Sequence, residues 1–378
     1  MRILHTSDWH LGKRLFKLDR TEEHEAFLDW LVSTIIDRRI DVLLIAGDIF
    51  DTPSPPHQSL ELFYRFLHRL SSETKASTYI IAGNHDSGVL LEAPALLLKE
   101  HRVKVWGKLS PKAQEHWEMI STENETIELC ALPFFRSFEL LPQGEGDIEE
   151  ALGSYLKKES EHPKILMLHH LAGEFQSAGS EQVVSLSGLD SIPHKLFEGF
   201  DYVALGHIHK PQKAGPRAYY SGSPIPMRFS ETNAKFVMEL EVKEKKVAIE
   251  KLPIPVARKL ISFTVDESNW KNKIEEADFD SPLTTMVDIE IHLDSPKIGL
   301  VDEIKLALEK KGAELLSYQP KYGENKTEEL RHDKIFELSP VELFGEFYAA
   351  KYPEAPEPPE ELKKDFTELL ERVKHATP

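Results

Sequence analysis

Short runs rich in apolar residues recur along the chain, and each stops on polar residues able to bind a ligand. Ile3-Leu4-His5-Thr6-Ser7 is followed by Asp8-Trp9-His10, Val42-Leu43-Leu44-Ile45-Ala46 by Gly47-Asp48, and Tyr79-Ile80-Ile81-Ala82 by Gly83-Asn84-His85-Asp86. Further on, Ile165-Leu166-Met167-Leu168 precedes His169-His170, and Tyr202-Val203-Ala204-Leu205 precedes Gly206-His207-Ile208-His209. Such runs predict buried strands that deliver chemistry at their C-terminal ends. Between the first three the period changes. Phe27, Trp30, Leu31 and Ile35 recur at helical spacing across 21–39, with Thr21 the expected N-cap, and Leu60, Phe63, Leu67 and Leu70 form a second stripe across 57–70. Strand, helix, strand, helix, strand predicts an α/β layered domain around a largely parallel sheet.

The later chain is less regular. Shorter strands are expected at 102–106 and 126–132, an acidic helix around 147–159, and a loop rich in Gly, Ser and Ala at 173–180, mobile or close to a ligand. Tyr219 to Pro224, then 236–242 and 246–252, alternate like antiparallel strands of a second sheet. Pro253 and Pro255 mark a boundary. Strands at 259–265, 286–293 and 314–318, with helices near 270–276 and 300–311, predict a small α+β unit, and the charged stretch 321–334 reads as an exposed loop. Ser339-Pro340 opens a helix with Val341, Phe344, Phe347 and Tyr348 on one face. A proline-rich linker leads to a last helix at 360–375, striped by Leu362, Phe366, Leu369, Leu370 and Val373. The expected domains are 1–256, 257–337 and 338–378.

A chain of 378 residues is too long for one comfortable core. Its formal charge of −18 argues against a generally basic nucleic-acid coat. A nucleic-acid enzyme is not excluded, because bound divalent metals and a local basic patch supply the attraction that the whole chain lacks. The single cysteine, Cys130, precludes an internal disulfide and reads as a small buried hydrophobe. No run reaches the length of a membrane span, and Met1-Arg2 leads straight into a strand with no signal-peptide core, so a cytoplasmic protein without membrane contact is expected.

Taken singly, each polar motif has a bland reading: Asp8-x-His10 as a cap beside a surface histidine, Gly47-Asp48 as a turn, Asn84-His85-Asp86 as an Asx-turn. Five such turns at one sheet edge are harder to explain that way. Hydrolysing a phosphodiester needs an oxygen nucleophile at neutral pH and neutralised phosphoryl oxygens, and two neighbouring divalent ions supply both. Asp, His and Asn donors without cysteine suit manganese, iron or zinc at an open site. Asp48, alone at its strand end after Gly47, is the best placed carboxylate to bridge two ions.

Together these motifs resemble the calcineurin-like metallophosphoesterases. The flanking residues Ile3 to Gly12, Gly47 to Thr52 and Ser221-Gly222-Ser223-Pro224-Ile225-Pro226 are similar to the members that serve as nuclease subunits in bacterial double-strand-break repair. The resemblance implies a layered β-sandwich flanked by helices, with a small α+β capping domain beside DNA at 257–337 and C-terminal helices. It implies that Asp8, His10, Asp48 and His209 hold one metal, and that Asp48, Asn84, His207 and either His169 or His170 hold the other, His169 being favoured as the first residue after its strand. His85 would donate to a phosphoryl or leaving oxygen, and Asp86 would orient His85 or a ligand. Asp51 stands where some relatives carry histidine, which leaves its role open. Further implied are two manganese ions, 3′-to-5′ exonuclease and hairpin or single-strand endonuclease action on DNA, a homodimer, and an SMC-like ATPase gripped by the C-terminal helices. Lys13, Arg14 and Arg136 lie nearest the metal loops as phosphate contacts, whereas Lys271, Lys273, Lys297, Lys305, Lys310 and Lys311 read as a solvated face. Two competing readings are a phosphatase or phosphodiesterase acting on a non-DNA phosphate ester, and a scaffold that has lost its metals.

Overall fold

The computed structural model describes residues 1–141, 146–177 and 191–322, with scattered positions between 344 and 366. Two six-stranded sheets carry the first part of the chain. In one, the order is Lys246–Pro253, Phe236–Lys243, Arg2–Thr6, Val42–Ala46, Ser77–Ile81, Val103–Trp106. In the other it is Gln212–Lys213, Ala218–Tyr220, Tyr202–Gly206, Lys164–His169, Thr126–Leu132, Trp117–Ser121.

The apolar runs are continuous because both faces of each sheet are covered. Ile3, Val42, Leu44 and Ile81 point inward and pack with Ile127, Leu129, Ile165, Met167 and Ala204 of the facing sheet. The alternate residues Leu4, Leu43 and Ile45 point outward, under Phe27, Leu31 and Ile35 of the Thr21–Asp37 helix and Phe63, Leu67 and Leu70 of the His57–Glu73 helix. On the opposite outer surface, Leu166, Leu168, Val203 and Leu205 meet Leu152 and Leu156 of the Ile148–Leu156 helix. The product is a helix, sheet, sheet, helix sandwich.

Arg2–Thr6, Val42–Ala46 and Ser77–Ile81 run parallel in register Ile3↔Val42 and Val42↔Ser77, and Lys164–His169 runs parallel to Tyr202–Gly206 in register Gly206↔His169. Their C-terminal ends therefore open on a common edge, where loops leave each sheet.

Two expectations need correction. The hairpin 236–253 does not join Tyr219 in the second sheet; Phe236–Lys243 pairs antiparallel with Arg2–Thr6, Ile3 facing Leu240. Alternation places Met238, Leu240 and Val242 inside the sandwich, but an inward face is served equally by either sheet, so the pattern fixes the face and not the neighbour. Thr21 is not the N-cap: that position is Arg20, and the Asp19 carboxylate instead accepts from Thr21 N at 2.8 Å. Cys130 is fully buried, and burial pushes its thiol well up.

The small unit is a sheet of Leu260–Asp266, Thr285–Leu293 and Ala313–Tyr322 with helices Trp270–Glu276 and Leu300–Glu309. Its buried Arg258 bonds Glu22 at 2.9 Å and reaches Glu23 at 3.2 Å, both on the first helix. Glu23 also pairs with buried Arg20. By its contacts the chain divides into Met1–His292 with Lys297–Lys321, and Leu293–Pro296 with Tyr322–Pro378. In the latter, the Phe344 and Phe366 rings stack at 4.2 Å. Most of the expected loop 321–334 and of the C-terminal helices lies outside the described residues, as do 178–180 of the Gly/Ser/Ala-rich loop. Among the described residues no helix is long and apolar enough to cross a membrane.

The sheets approach so closely at the common edge that a Cβ on Gly206 would sit 1.9 Å from the carbonyl oxygen of Ala46 across the sandwich. Gly206→Ala is expected to destabilise the protein by at least about 2 kcal/mol in denaturant unfolding, because a backbone carbonyl cannot rotate away. Gly153, in the Ile148–Leu156 helix with nothing within 4 Å of its missing Cβ, is the control. Its replacement by alanine is expected to stabilise by about 0.5–1 kcal/mol. Equal effects at the two positions would contradict this packing.

Candidate metal centre

Trp9 sets the first loop. Its ring is fully buried against Phe27, Phe63 and Phe66, and its indole N–H donates to Thr6 Oγ1 at 3.0 Å. With Trp9 plugged into the helix layer, Asp8 and His10 are turned toward the gap between sheets. The loop is laced to its neighbour by Asp8 N to Gly47 O, His10 N to Asp48 O and Leu11 N to Ile49 O, at 3.0, 3.0 and 2.8 Å. Asp8, His10, Asp48 and His207 all hold positive φ, at 54°, 48°, 51° and 100°. Non-glycine residues rarely adopt that region, and here four chemistry-bearing side chains do.

Two clusters meet at Asp48. One is Asp8, His10 and His209; the other is Asp48, His169 and His207. Asp48 Oδ2 lies 3.6 Å from His10 Nε2 and 3.3 Å from His169 Nε2, between the clusters, while its Oδ1 accepts from His85 N at 2.8 Å. Within the first, His10 Nε2 and His209 Nε2 face each other at 3.0 Å. Within the second, Asn84 Oδ1 lies 3.1 Å from His169 Nε2 and 2.8 Å from His207 Nδ1. Asp8 Oδ1 accepts from His207 N at 2.8 Å, tying the clusters together.

The doubled histidine resolves by its partners. His169 Nδ1 donates to Ala46 O at 2.7 Å, which leaves Nε2 facing Asp48 and Asn84. His170 turns the other way: Phe135 N donates to its Nε2 at 3.2 Å and its ring stacks on Phe134. It is a satisfied core histidine.

His85 is only partly buried, and its Nδ1 bonds Asp51 O at 2.8 Å. Asp86, expected on the sequence to orient His85 or a ligand, acts through backbone amides. Its carboxylate takes the N–H groups of Gly83, Ile49 and Phe50 at 2.9, 3.2 and 2.9 Å, so it staples two ligand loops together. Asp51, whose role was open, faces His10 Nδ1 at 3.4 Å and Lys13 Nζ at 3.0 Å. Lys13 therefore lies beside the clusters. Arg14 is exposed and bonds Lys17 O at 2.9 Å in its own hairpin. Arg136 is exposed at the start of the Ser137–Leu140 turn, in a loop anchored by Phe134 N to Ala82 O. Among the lysines of the small unit, Lys271, Lys297 and Lys311 pair with Glu303, Glu267 and Glu275, as a solvated face does.

Buried charges at the centre shift one another. Burial raises Asp8 to about 6, opposed by His169 and reinforced by Asp48. Burial also works against Asp48, but His169 and His10 outweigh it and hold the carboxyl well below its usual range. For His169 burial alone would lower the value; the Asp48 charge reverses that and lifts it to about 9. His209 is pushed well down by burial and by His10. The donors, two carboxylates, an amide oxygen and four imidazoles with no thiol, match the preferences of borderline divalent cations.

Residues that the sequence reading missed stand behind these side chains. Ser7 Oγ bonds Asp8 Oδ2 and Ser221 Oγ, and Glu231 and Lys235 back His209. Ser7 and Ser221 lie in stretches already singled out, Ile3 to Gly12 and Ser221 to Pro226, whereas Glu231 and Lys235 carry no such signal.

The family profile described as calcineurin-like phosphoesterase matches residues 1–211. The chain is 29% identical over 376 aligned residues to SbcD, the nuclease component of SbcCD, of Escherichia coli, an alignment spanning 91% of this chain and 92% of that one. To the SbcD protein of Rhodobacter capsulatus it is 35% identical over 257 residues, spanning 61% and 64%, and to that of Bacillus subtilis 33% over 262 residues, spanning 64% and 66%.

The shifted values predict proton release on metal binding. A ligand imidazole must be neutral, and His169, raised to about 9, is mostly protonated at pH 7.5, so uptake of manganese there should release about one proton. Below about pH 6 Asp8 is protonated as well, and affinity should rise with pH from 6 to 9. Calorimetric titration in buffers of different ionisation heat measures this; no proton release at pH 7.5 would contradict it.

Proposed function

The chain belongs to the calcineurin-like phosphoesterase family and is a metal-dependent phosphodiester hydrolase; from that premise we propose that its substrate is DNA. The proposed activity is that of a nuclease subunit in double-strand-break repair, a 3′-to-5′ exonuclease on duplex ends and an endonuclease on single strands and hairpins. The observation that carries the substrate is the reach of the similarity. The phosphoesterase match ends at residue 211, whereas the alignment to the Escherichia coli SbcD nuclease spans 91% of the chain. The added residues are thus shared with a nuclease and not only with a general phosphatase core.

In this reading Asp8, His10, Asp48 and His209 hold one divalent ion, and Asp48, Asn84, His169 and His207 the other, with manganese the proposed metal. The ions supply an activated water at neutral pH and neutralise charge on the phosphoryl oxygens. The protein's own groups do the rest. Asp48 fixes the spacing of the two halves. His85, with Nδ1 engaged by the Asp51 carbonyl, presents Nε2 as the atom that carries a proton to the leaving oxygen. Lys13 and Arg136 are the proposed contacts to neighbouring phosphates, while Arg14, committed to its hairpin, is the weaker one.

The unit from about 257 is proposed as the capping domain beside the DNA, and residues 338–378 as the segment that grips an SMC-like ATPase. The support for the latter is that the relatives are named as one subunit of a larger nuclease. A homodimer is proposed, supported by exposed apolar side chains: Val89, Leu96 and Leu97 are 60%, 86% and 68% exposed on two short helices soon after Asp86. A cytoplasmic location accords with a DNA substrate.

Cleavage of a DNA hairpin against hydrolysis of a small aryl phosphate, both with manganese, tests the reading. The hairpin is expected to be cut far faster. Asp48→Asn should lose metal and cleavage together, and His85→Gln should retain both ions while cleaving about 10²- to 10⁴-fold more slowly. Preference for the aryl phosphate would move the protein to the phosphatases, and normal cutting by the His85 variant would remove that residue from the reaction.

A further inference from the structure

Behind His209, on the side away from His10, a buried charge pair closes the centre. Glu231 and Lys235 are only 6% and 7% exposed. The Lys235 ammonium donates to Glu231 Oε2 at 2.6 Å, to Ser223 Oγ at 3.0 Å and to His209 O at 3.4 Å. Met227 N also donates to Glu231 Oε2, at 3.1 Å. The other carboxylate oxygen, Oε1, lies 3.9 Å from His209 Nδ1. Ser223 N donates to His209 O at 3.1 Å. Gly222 allows this approach, holding φ +78° where a Cβ would stand 2.7 Å from that same carbonyl. Backbone and ring of His209 are thus both addressed from one short segment.

We propose that Glu231, held in place by Lys235, is the positioning residue for His209. Its Oε1 lies 3.9 Å from the far ring nitrogen, so its charge favours the proton on Nδ1 and directs Nε2 at the cation shared with Asp8 and His10. Carboxylates that face the second nitrogen of a ligating imidazole fix its tautomer and orientation, and their loss typically weakens metal binding about 10- to 100-fold. Lys235 supplies the countercharge without which a buried carboxylate would be poorly tolerated. The inference rests on the two-ion reading above and adds to it a difference between two rings: His209 is backed by a carboxylate, whereas His169 is oriented by the Ala46 carbonyl.

The test is manganese binding to the full-length protein and its Glu231→Gln variant without DNA, read by calorimetry, together with ¹⁵N resonances of the histidines in the metal-free proteins. Glutamine retains an oxygen for Lys235 and Met227 N and so preserves the packing. The expected result is one ion bound with wild-type affinity, the other weakened about 10- to 100-fold, and a His209 tautomer shift with the His169 resonances unchanged. Unaltered binding with an unaltered His209 spectrum would overturn the proposal, as would equal weakening of both ions accompanied by a lowered unfolding temperature. Fewer than two ions in the wild-type protein would sink the two-ion reading itself, and the His209 resonance would still decide whether Glu231 orients that ring.

Discussion

A single buried carboxylate at the seam between two sheets is the constraint from which the centre follows. Asp48 ends a strand of the first sheet, and its Oδ2 faces His10 from that sheet and His169 from the other. An ionised carboxylate out of water is tolerated only where opposite charge and hydrogen bonds replace the solvent. The His169 and His10 rings and the His85 amide supply these in the protein. The need for close approach also dictates glycine around it. A Cβ at Gly83 would stand 2.2 Å from Asp48 Oδ1, and one at Gly47 would stand 2.3 Å from His169 Nδ1.

Holding the donors there has a conformational cost. Left-handed backbone at Asp8, His10, Asp48 and His207 stores about 1–3 kcal/mol at each position. Such strain persists only where the surroundings over-determine it. The buried Trp9 plug, the ladder of backbone bonds between loops 8–11 and 47–51, and the Asp86 carboxylate spanning Gly83, Ile49 and Phe50 do so. The rigid four-layer sandwich therefore acts as the preorganising element, with the centre laid across its edge.

Much of this was legible in the sequence because parallel strands buried on both faces read as unbroken apolar runs, and their ends must then carry whatever is not packing. The choice between His169 and His170 was not legible from the run alone, since adjacent side chains alternate faces and one residue of register inverts them. It took the Phe134 and Phe135 contacts to show which ring is core. The sheet that receives 236–253 was hidden for a related reason: inward-facing Met238 and Leu240 suit either layer. Asp86, expected to orient His85 or a ligand, serves the backbone amides of Gly83, Ile49 and Phe50. Glu231 and Lys235 escaped notice because charged residues in a stretch of mixed composition are ordinarily solvated, and only the fold turns them inward. The C-terminal stripes lie largely outside the described residues, so their reading as partner-binding helices stands as the resemblance implies it.

The central claim is that Asp48 is shared by two ions. A crystal structure of the protein grown with manganese, with anomalous scattering collected at the metal edge, tests it most directly. The account predicts two peaks, one beside Asp8, His10 and His209 and one beside Asn84, His169 and His207, with the Asp48 carboxylate touching both. A single peak, or two peaks of which only one contacts Asp48, would contradict it.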